Sequence, residues 1–382
     1  MSVKVLHFST HNEDCGIGKY QEMFLEAMED NIDVENKFFD VSPNRIRVMN
    51  PADKREVFKQ LADELDDYDV LHVQHEFSFY PSDEFLLACQ VAKRVGKKLI
   101  VTVHTAPSVA YTKARRTGIA PRSILHYLRA LKKQAFYEKY FVTPMKLADL
   151  VLVHNKVTRD GLIDLGVSVE KIAAIVIPVP GVDTTTESTE IAEKLRRKAG
   201  DIIYATTGFL HQFKGIDDAI KALNFLPSNY KLAIVGGMHQ DHDHRIYNNL
   251  TDLIKKYELA DRVYITGYVQ DDARLNALIR ECDVCVYPYE KVYYSNVSSA
   301  ALNNAFANIR PVVAYPTASF RELNADHEYM KLTQAFSYYE LSRELQKIDI
   351  KNATKNAVAF KEKYNYPAVS LQLVQTYVDL VK

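Results

Sequence analysis

The sequence predicts an α/β protein whose two doubly wound halves face each other across a cleft. Three observations lead to this prediction. Short apolar runs alternate with helical patterns along the whole chain, and strands separated by helices form right-handed βαβ units. The length of 382 residues exceeds the usual size of one domain. A segment rich in proline and threonine, residues 178–186, interrupts the pattern near the middle.

The strand candidates are short, apolar and rich in β-branched residues, as expected for parallel strands covered on both faces. In the first half they are residues 3–9, 70–74, 98–103, 150–154 and 172–177. In the second half they are residues 202–206, 231–235, 262–266, 284–287 and 311–314. A helical run from Lys19 to about Met28 follows the first strand. Ligands of such sheets bind at the carboxyl ends of the strands, so the site is expected there.

Composition excludes several classes of protein. A hydrophobic content of 47% and a charged content of 25% are those of an ordinary globular protein. The net charge of −1 indicates no overall attraction to nucleic acid or membranes. The sequence contains no apolar run of about 18 residues, the N-terminus lacks the pattern of a signal peptide, and four cysteines predict no disulfide framework. We therefore expect a cytoplasmic protein in a reducing compartment.

The segment 207–218 predicts a phosphate site. Gly208 leaves a strand, Lys214 lies in the turn, and a helix begins after it. Such a turn directs backbone N–H groups and an ammonium to one point, which suits a diphosphate. Asp217 and Asp218 follow in the first helical turn, where the helix dipole alone explains acidic residues.

Seven motifs, in order, resemble those of family 4 of the retaining glycosyltransferases, which have two Rossmann-like domains facing across a cleft (the GT-B fold). They are residues 16–18, 71–76, 101–105, 177–183, 208–215, 235–237 and 266–269, followed by Val286-Tyr287-Pro288-Tyr289. The resemblance covers about residues 1–330. It implies an acceptor-side domain over 1–182, a nucleotide-sugar-binding domain over 183–366, and a last helix, 367–382, that crosses back to the first domain.

The resemblance implies that the enzyme transfers a hexosyl or pentosyl group from a UDP- or GDP-sugar to an acceptor hydroxyl, with retention of configuration. It implies no metal and no other cofactor. Lys214 would neutralise the leaving diphosphate, and His104 would orient the donor sugar. The implied donor-binding residues are Gly16, Ile17, Gly18, Gly208, His211, Lys214, Val269, Ser298, Ser299, Asn304 and Glu322.

Four residues are candidates for acceptor binding. His75 and Glu76 follow a strand, where acceptor contact and simple packing of the histidine both remain open. Arg115 and Arg116 belong to the basic segment 106–136, which contains no acidic residue. This segment is either a solvated helix face or a surface for an anionic acceptor, which would be a lipid headgroup at a membrane surface or nucleic acid.

The sequence departs from the family pattern at three positions. Phe209 stands where the family has an arginine, and the two acidic positions of its Glu-x7-Glu segment fall on Asn296 and Asn304. Replacing a ribose-binding glutamate by asparagine costs roughly 1–3 kcal/mol of affinity. A serine-rich turn, residues 295–299, precedes the helix in some members and also suits phosphate.

Three rival functions follow from these features. The two amides are compatible with a non-catalytic relative that binds a partner glycosyltransferase. The basic segment is compatible with a glycosyltransferase that modifies a base in DNA. An epimerase of sugar nucleotides with the same architecture is the third.

Two clusters suggest a metal but are interpreted otherwise. The first, in a loop after Gly237, consists of His239, Asp241, His242, Asp243 and His244. Structural metal sites need ligands on ordered elements, so we interpret this run as a solvated loop and predict no metal. Cys282 and Cys285 have a Cys-x-x-Cys spacing without a second pair, and we interpret them as buried small residues.

Overall fold

The computed structural model describes residues 2–12, 15–77, 79–80, 82–105, 121–238, 245–291 and 299–382, with residues 121–123 described without their side chains. The chain divides into two compact units. The first comprises Met1–Val176 and Tyr366–Lys382, and the second comprises Ile177–Asn365. The sequence predicts the corresponding boundaries at 182/183 and 366/367.

The first unit contains a parallel sheet of six strands. These are β1 (Val3–Phe8), β2 (Val34–Phe38), β3 (Val70–His75), β4 (Lys98–Val103), β5 (Leu150–Val153) and β6 (Ile172–Ala174). Their order is β2-β1-β3-β4-β5-β6, and every pairing is parallel. Only β2 is not predicted by the sequence, because three consecutive polar residues, 35–37, separate Val34 from Phe38 at this half-exposed edge.

Side chains alternate between the two faces of this sheet, as the strand period requires. On β3, Leu71 and Val73 enter the main hydrophobic cluster, together with Phe85 of a following helix. His72 and Gln74 therefore point to the opposite face, where they are also buried. This face carries the polar cluster described below.

Seven helices accompany this sheet before residue 177 among the described residues. They are α1 (Gly16–Ala27), α2 (Pro43–Ile46), α3 (Pro51–Leu65), α4 (Glu84–Arg94), α5 (Pro121–Tyr137), α6 (Thr143–Leu147) and α7 (Lys156–Asp164).

A single π-helical turn, Glu138–Val142, joins α5 to α6. Pro144 lies in the first turn of α6 and has no N–H to donate to the preceding turn. The backbone widens there, and the hydroxyl of Thr143 donates to the carbonyl oxygen of Glu138 at 2.8 Å. The proline thus explains the local change of helix type.

The second unit contains another parallel six-stranded sheet. Its strands are β7 (Ile202–Thr207), β8 (Tyr230–Val235), β9 (Val263–Ile265), β10 (Val284–Tyr287), β11 (Val312–Ala314) and β12 (Lys331–Leu332). Their order is β12-β11-β10-β7-β8-β9. On the central strand β7, Ile203 and Ala205 enter one buried cluster and Tyr204 enters the cluster on the other face. The sheet is therefore covered on both sides, as a doubly wound fold requires.

The helices of the second unit complete these two layers. They are α8 (Glu190–Lys194), α9 (Ile216–Leu223), α10 (Arg245–Lys256), α11 (Asp272–Glu281), α12 (Ala300–Ala307), α13 (Ala318–Leu323), α14 (Tyr338–Lys347) and α15 (Ile350–Lys363). The last helix, α16 (Tyr366–Val381), belongs to the first unit, where Tyr366 packs edge-on against Phe24 of α1 at 5.1 Å between ring centroids.

Both units are thus Rossmann-like, and the α/β class predicted from the sequence is confirmed. Of the twelve strands, β2 and the two-residue β12 are not predicted.

Candidate functional site

Glycines allow the loops after β7, β8 and β10 to pack against one another. Gly236 has a φ of +153°, and a Cβ at this position would lie 2.0 Å from the carbonyl oxygen of Gly208. Gly215 has a φ of +64°, and its Cβ would lie 1.9 Å from the carbonyl oxygen of Pro288. Backbone atoms cannot move aside as a flexible side chain can, so both positions require glycine. The carboxyl edge of the second sheet is therefore closely packed.

Lys214 lies at this edge, in a single 3₁₀ turn, Gln212–Lys214. Its Nζ atom lies 3.4 Å from the carbonyl oxygen of Thr207, and it makes no ion pair with any residue that the structure describes. Burial lowers the pKa of Lys214 to about 8. A buried ammonium without a counter-ion is costly, and a bound anion would offset that cost.

The start of α12 is held beside the end of β7. The hydroxyl of Tyr287 donates to the carbonyl oxygen of Ala301 at 2.6 Å and lies 3.0 Å from the hydroxyl of Thr207. Ser299 caps the helix, because its Oγ accepts from the N–H of Leu302 at 3.1 Å. Free N–H groups and the dipole at a helix start favour an anion.

Lys214 and the first turn of α12 meet at Gly208. A Cβ on Gly208 would lie 2.6 Å from Nζ of Lys214 and 3.7 Å from Cβ of Ala301. The structure therefore brings together Gly208, Lys214 and the helix that Ser299 caps. Ser298 and Asn296 lie outside the described residues.

The other predicted donor-binding residues of this unit differ in which of their groups are available to a ligand. The His211 ring accepts a hydrogen bond from the N–H of Phe213, with Nδ1 at 3.4 Å. Val269 is 9% exposed and packs in the hydrophobic core, so only its backbone is available to a ligand. Asn304 of α12 and Glu322 of α13 are partly exposed.

Two features of this unit are not predicted from the sequence. Asn303 is buried, and its Nδ2 donates to the carbonyl oxygens of Ile177 at 3.0 Å and Pro178 at 3.1 Å. Phe209 and Tyr268 stack with ring centroids 5.6 Å apart and planes at 10°, although both are exposed. Phe209, at the position where the family has an arginine, thus presents an aromatic face. In the sequence, the phenylalanine itself is the only indication of this.

An open groove of about 790 Å³ lies between α9 and α10. It reaches His211 and Gln212 but neither Lys214 nor Ser299. Its walls mix both charges, with Asp217, Lys221 and Lys256 among them. The groove therefore does not include Lys214 or the start of α12, which the sequence predicts to bind phosphate.

In the first unit, a chain of polar side chains, buried apart from the partly exposed His104, crosses the sheet face under α1. Nε2 of His104 lies 2.8 Å from Oε1 of Gln74, and its Nδ1 lies 3.3 Å from Nε2 of His154. Nδ1 of His154 lies 2.9 Å from the carbonyl oxygen of Ile175. Nε2 of Gln74 lies 2.6 Å from Oε1 of Gln21. Both ring nitrogens of His104 therefore have partners within the unit.

Burial is the main reason that both histidines stay neutral. It holds the pKa of His104 well below its usual value, and the neighbouring His154 adds to this. Burial also lowers the pKa of His154 to about 4, although the bond to the Ile175 carbonyl opposes that change. Two neutral imidazole rings carry only two N–H groups between them. The three contacts, from His104 to the Gln74 oxygen, from His104 to His154 and from His154 to the Ile175 carbonyl, need three hydrogen atoms. One partner must therefore supply a hydrogen.

Gly16, Ile17 and Gly18 form the first turn of α1, whereas the sequence predicts a loop here and a helix from Lys19. In this turn Gly18, which lacks a Cβ, passes close to Thr10, whose carbonyl oxygen a Cβ would approach to 3.3 Å. The first helical bond runs from the Lys19 N–H to Cys15. The N–H groups of residues 16–18 remain without helical partners.

Two of the four predicted acceptor residues, His75 and Glu76, lie among the described residues. His75 is 1% exposed and packs among aromatic rings, including Phe85 at 4.5 Å and Phe141 at 5.0 Å. This burial favours packing of His75 over acceptor contact. Side chains alternate along β3, so the ring of His75 lies on the face of the sheet opposite to His104. Glu76 is partly exposed and accepts from the N–H of Phe77 at 2.9 Å. Arg115 and Arg116 lie outside the described residues.

Among the residues that the structure describes, no group of three or more histidine, cysteine or acidic side chains is arranged to bind a metal. The cluster from His239 to His244 lies outside them. Cys282 and Cys285 are free and fully buried, which confirms their interpretation as core residues. No described helix combines the length and hydrophobicity needed to cross a bilayer.

Two protein-family models match the chain over adjacent ranges. The model described as "Glycosyltransferase Family 4" matches residues 21–185, and the model described as "Glycosyl transferases group 1" matches residues 187–362. The junction between the two matches lies close to the boundary between the two units. No curated protein sequence matches.

Solved structures with the same fold include three relevant examples. The Anabaena protein HepE in complex with UDP has a TM-score of 0.70 at 14% identity, covering 99% of this chain and 100% of that one. The same protein in complex with UDP-glucose has a TM-score of 0.65 at 14% identity, covering 98% and 99%. Sucrose-phosphate synthase from Thermosynechococcus elongatus has a TM-score of 0.66 at 18% identity, covering 100% and 99%.

Proposed function

The chain is a glycosyltransferase with the GT-B fold, and from this premise we propose that it transfers a sugar from a UDP-sugar to an acceptor hydroxyl with retention of configuration. The observation that carries this proposal is the half-buried ammonium of Lys214, which lies beside the first turn of α12 and forms no ion pair with a described residue. The complexes of HepE with UDP and UDP-glucose support UDP over GDP. Retention rests on the resemblance to family 4.

In this proposal the diphosphate lies against Nζ of Lys214, with the N–H groups at the start of α12 completing its site. Charge on the leaving diphosphate grows as the glycosidic bond breaks, so the ammonium stabilises the transition state more than the ground state. The partly exposed amide of Asn304, on the same helix, is available to the ribose. Phe209 and Tyr268 present aromatic faces instead of the expected arginine.

His104 orients the donor sugar in this proposal, and Gln74 and His154 position its ring. A neutral imidazole with both nitrogens engaged can bond a sugar hydroxyl only if one partner is exchanged or shared. His104 is partly exposed, which is compatible with such an exchange. The ring therefore acts in positioning and does not serve as a strong base.

The first experiment is a thermal-shift series with UDP, GDP and their sugars. At ligand concentrations about 100 times the dissociation constant, binding should add about 2.7 kcal/mol of stability. We expect UDP and a UDP-sugar to protect the wild type, and Lys214→Met to lose this protection. The matched control is Lys361→Met, because Lys361 is also partly buried and donates to a single backbone carbonyl, that of Ala307, at 2.8 Å.

The second experiment follows the sugar. Release of UDP from the preferred donor should fall on the order of 100-fold in Lys214→Met and remain unchanged in Lys361→Met. NMR of the product should show the anomeric configuration of the donor. Equal turnover by Lys214→Met and the wild type would exclude the proposed site, and an inverted product would exclude retention alone.

A further inference from the structure

Helix α5 carries a stripe of exposed apolar side chains. Ile124, Leu125, Leu128, Leu131 and Phe136 are 41%, 51%, 50%, 38% and 39% exposed, respectively. Residues at i, i+1, i+4 and i+7 lie on one side of an α-helix, so the first four form a continuous surface. We call these five residues the α5 stripe.

The α5 stripe points away from the body of its unit. The side chains of α5 that are partly buried are Tyr127, Ala130 and Tyr137, which lie on the other side of the helix. The ring of Tyr137 packs edge-on against Phe77, with centroids 5.7 Å apart. A helix on a protein surface normally turns its apolar side inward. Here the broader apolar side faces solvent.

Cationic residues accompany the stripe. Arg129, Lys132 and Lys133 are exposed on the same helix. Within the described residues neither Arg129 nor Lys132 forms an ion pair, and Lys133 lies 5.7 Å from the ring centroid of Tyr137. Residues 106–137 contain no acidic side chain at all. The helix therefore offers apolar and positive surface side by side.

Exposed apolar residues elsewhere in the unit are scattered along the chain. Ile32, Val48, Val169 and Leu371 are 88%, 79%, 53% and 63% exposed, and each lies in a different part of the sequence, with Leu371 on α16. Isolated exposed side chains of this kind are normal in globular proteins, whereas a contiguous patch marks an interaction site.

We propose that α5 docks the protein on an anionic lipid surface. The stripe enters the boundary between headgroups and acyl chains, and Arg129, Lys132 and Lys133 contact lipid phosphates. Nucleic acid would satisfy the charges but leave the leucines in water. A second copy of this chain would cover the leucines but bring two sets of cations together. A lipid surface accommodates both, whatever the acceptor is.

The first test measures sedimentation of the full chain with vesicles. Vesicles of phosphatidylcholine alone are compared with vesicles that also contain phosphatidylglycerol. We expect binding only to the anionic vesicles, weakened by salt. Leu125→Ser/Leu128→Ser should lose more than tenfold in binding, and Arg129→Gln/Lys132→Gln should lose about fivefold for each cation removed.

Matched variants control for composition and charge. Ile32→Ser/Leu371→Ser removes two exposed apolar side chains elsewhere in the same unit, and Lys59→Gln/Lys98→Gln removes two exposed cations. Both controls should bind vesicles as the wild type does. No vesicle measurement requires a nucleotide sugar, so failure here and failure of the proposed function are distinguishable.

A second test reports insertion directly. The chain contains no tryptophan, so Leu128→Trp introduces a single fluorophore into the stripe. Its emission should shift to the blue with anionic vesicles and be quenched by brominated lipid, while Leu371→Trp should show neither change.

Absence of vesicle binding by the wild type would overturn the proposal, as would equal binding by the stripe variant. The proposal would also fail if the wild type were a dimer that does not bind vesicles and Leu125→Ser/Leu128→Ser were a monomer. The α5 stripe would then be covered by a second copy of this chain. Salt-sensitive binding of duplex DNA without vesicle binding would assign the cations to nucleic acid instead.

Discussion

Nδ1 of His104 lies 3.3 Å from Nε2 of His154, and the two rings share one hydrogen atom. The carbonyl oxygen of Ile175 can only accept, so it places the other hydrogen of His154 on Nδ1. His104 must then donate from Nδ1, and its Nε2 must accept. The carboxamide of Gln74 supplies that hydrogen when its NH₂ group faces the ring, and the carboxamide of Gln21 then donates to the oxygen of Gln74.

This relationship predicts the tautomers of both rings. Because burial keeps both histidines neutral, ¹⁵N NMR at neutral pH should show His104 and His154 as Nδ1–H tautomers. In Gln74→Glu a carboxylate replaces the donor, so the pKa of His104 should rise and the ring should become an imidazolium at higher pH. An Nε2–H tautomer at His154 in the wild type would contradict the arrangement.

A second prediction concerns the pH dependence of UDP binding. Burial lowers the pKa of Lys214 to about 8 in the free protein, and a bound diphosphate should raise it again. Binding therefore takes up a proton above about pH 8, and affinity should fall by up to tenfold per pH unit until the pKa of the complex is reached. Calorimetry in two buffers of different ionisation enthalpy measures the proton uptake. Lys214→Met should bind weakly and without this uptake, and Lys361→Met should retain it.

A third prediction concerns acid stability. Glu84 is fully buried at the start of α4, where it pairs with Lys54 and accepts from the N–H of Ser82 at 3.0 Å. Burial alone would raise the pKa of Glu84, but the bonds from Lys54 and Ser82 hold it below its usual value. A lowered pKa stabilises the fold above the unfolded-state pKa, and this contribution is lost as the pH falls through the folded-state value.

Glu84→Gln should therefore cost about 1–3 kcal/mol at neutral pH, with the difference from wild type shrinking in acid. The control is Glu64→Gln, which removes a more exposed pair with Lys37 and should change stability by less than about 1 kcal/mol. Urea unfolding over a range of pH measures both. A pH-independent effect of Glu84→Gln would show that its charge does not matter.

A fourth prediction concerns Gly236. In Gly236→Ala the new Cβ would require Gly208 to move, and with it the turn that holds Lys214. We expect a loss of more than about 2 kcal/mol in stability and of UDP protection. Gly161→Ala is the control, since Gly161 lies inside α7 with no atom within 4 Å of the added Cβ. It should stabilise the protein by about 0.5–1 kcal/mol, and a neutral Gly236→Ala would contradict the close approach.

Local patterns account for what could be predicted. Each buried strand is a short apolar run, and the strand, Gly208, Lys214 and α9 are consecutive, so their order predicts the phosphate-binding turn. The edge strand β2 escapes prediction because its exposed positions are polar. His75 illustrates the same limit, since its place at the end of β3 is visible in the sequence, whereas the aromatic rings around it come from later helices.

The sequence by itself determined ten of the twelve described strands, the turn that carries Lys214 and the helix that Ser299 caps, because propensity and hydrophobic period act over neighbouring residues. Only the tertiary structure decided that Lys214 has no counter-ion among the described residues, that Gln74 and His154 engage both nitrogens of His104 from 30 and 50 residues away, and that the leucines of α5 face solvent. Burial and partner choice depend on residues that the chain brings together from a distance, and no local pattern records them.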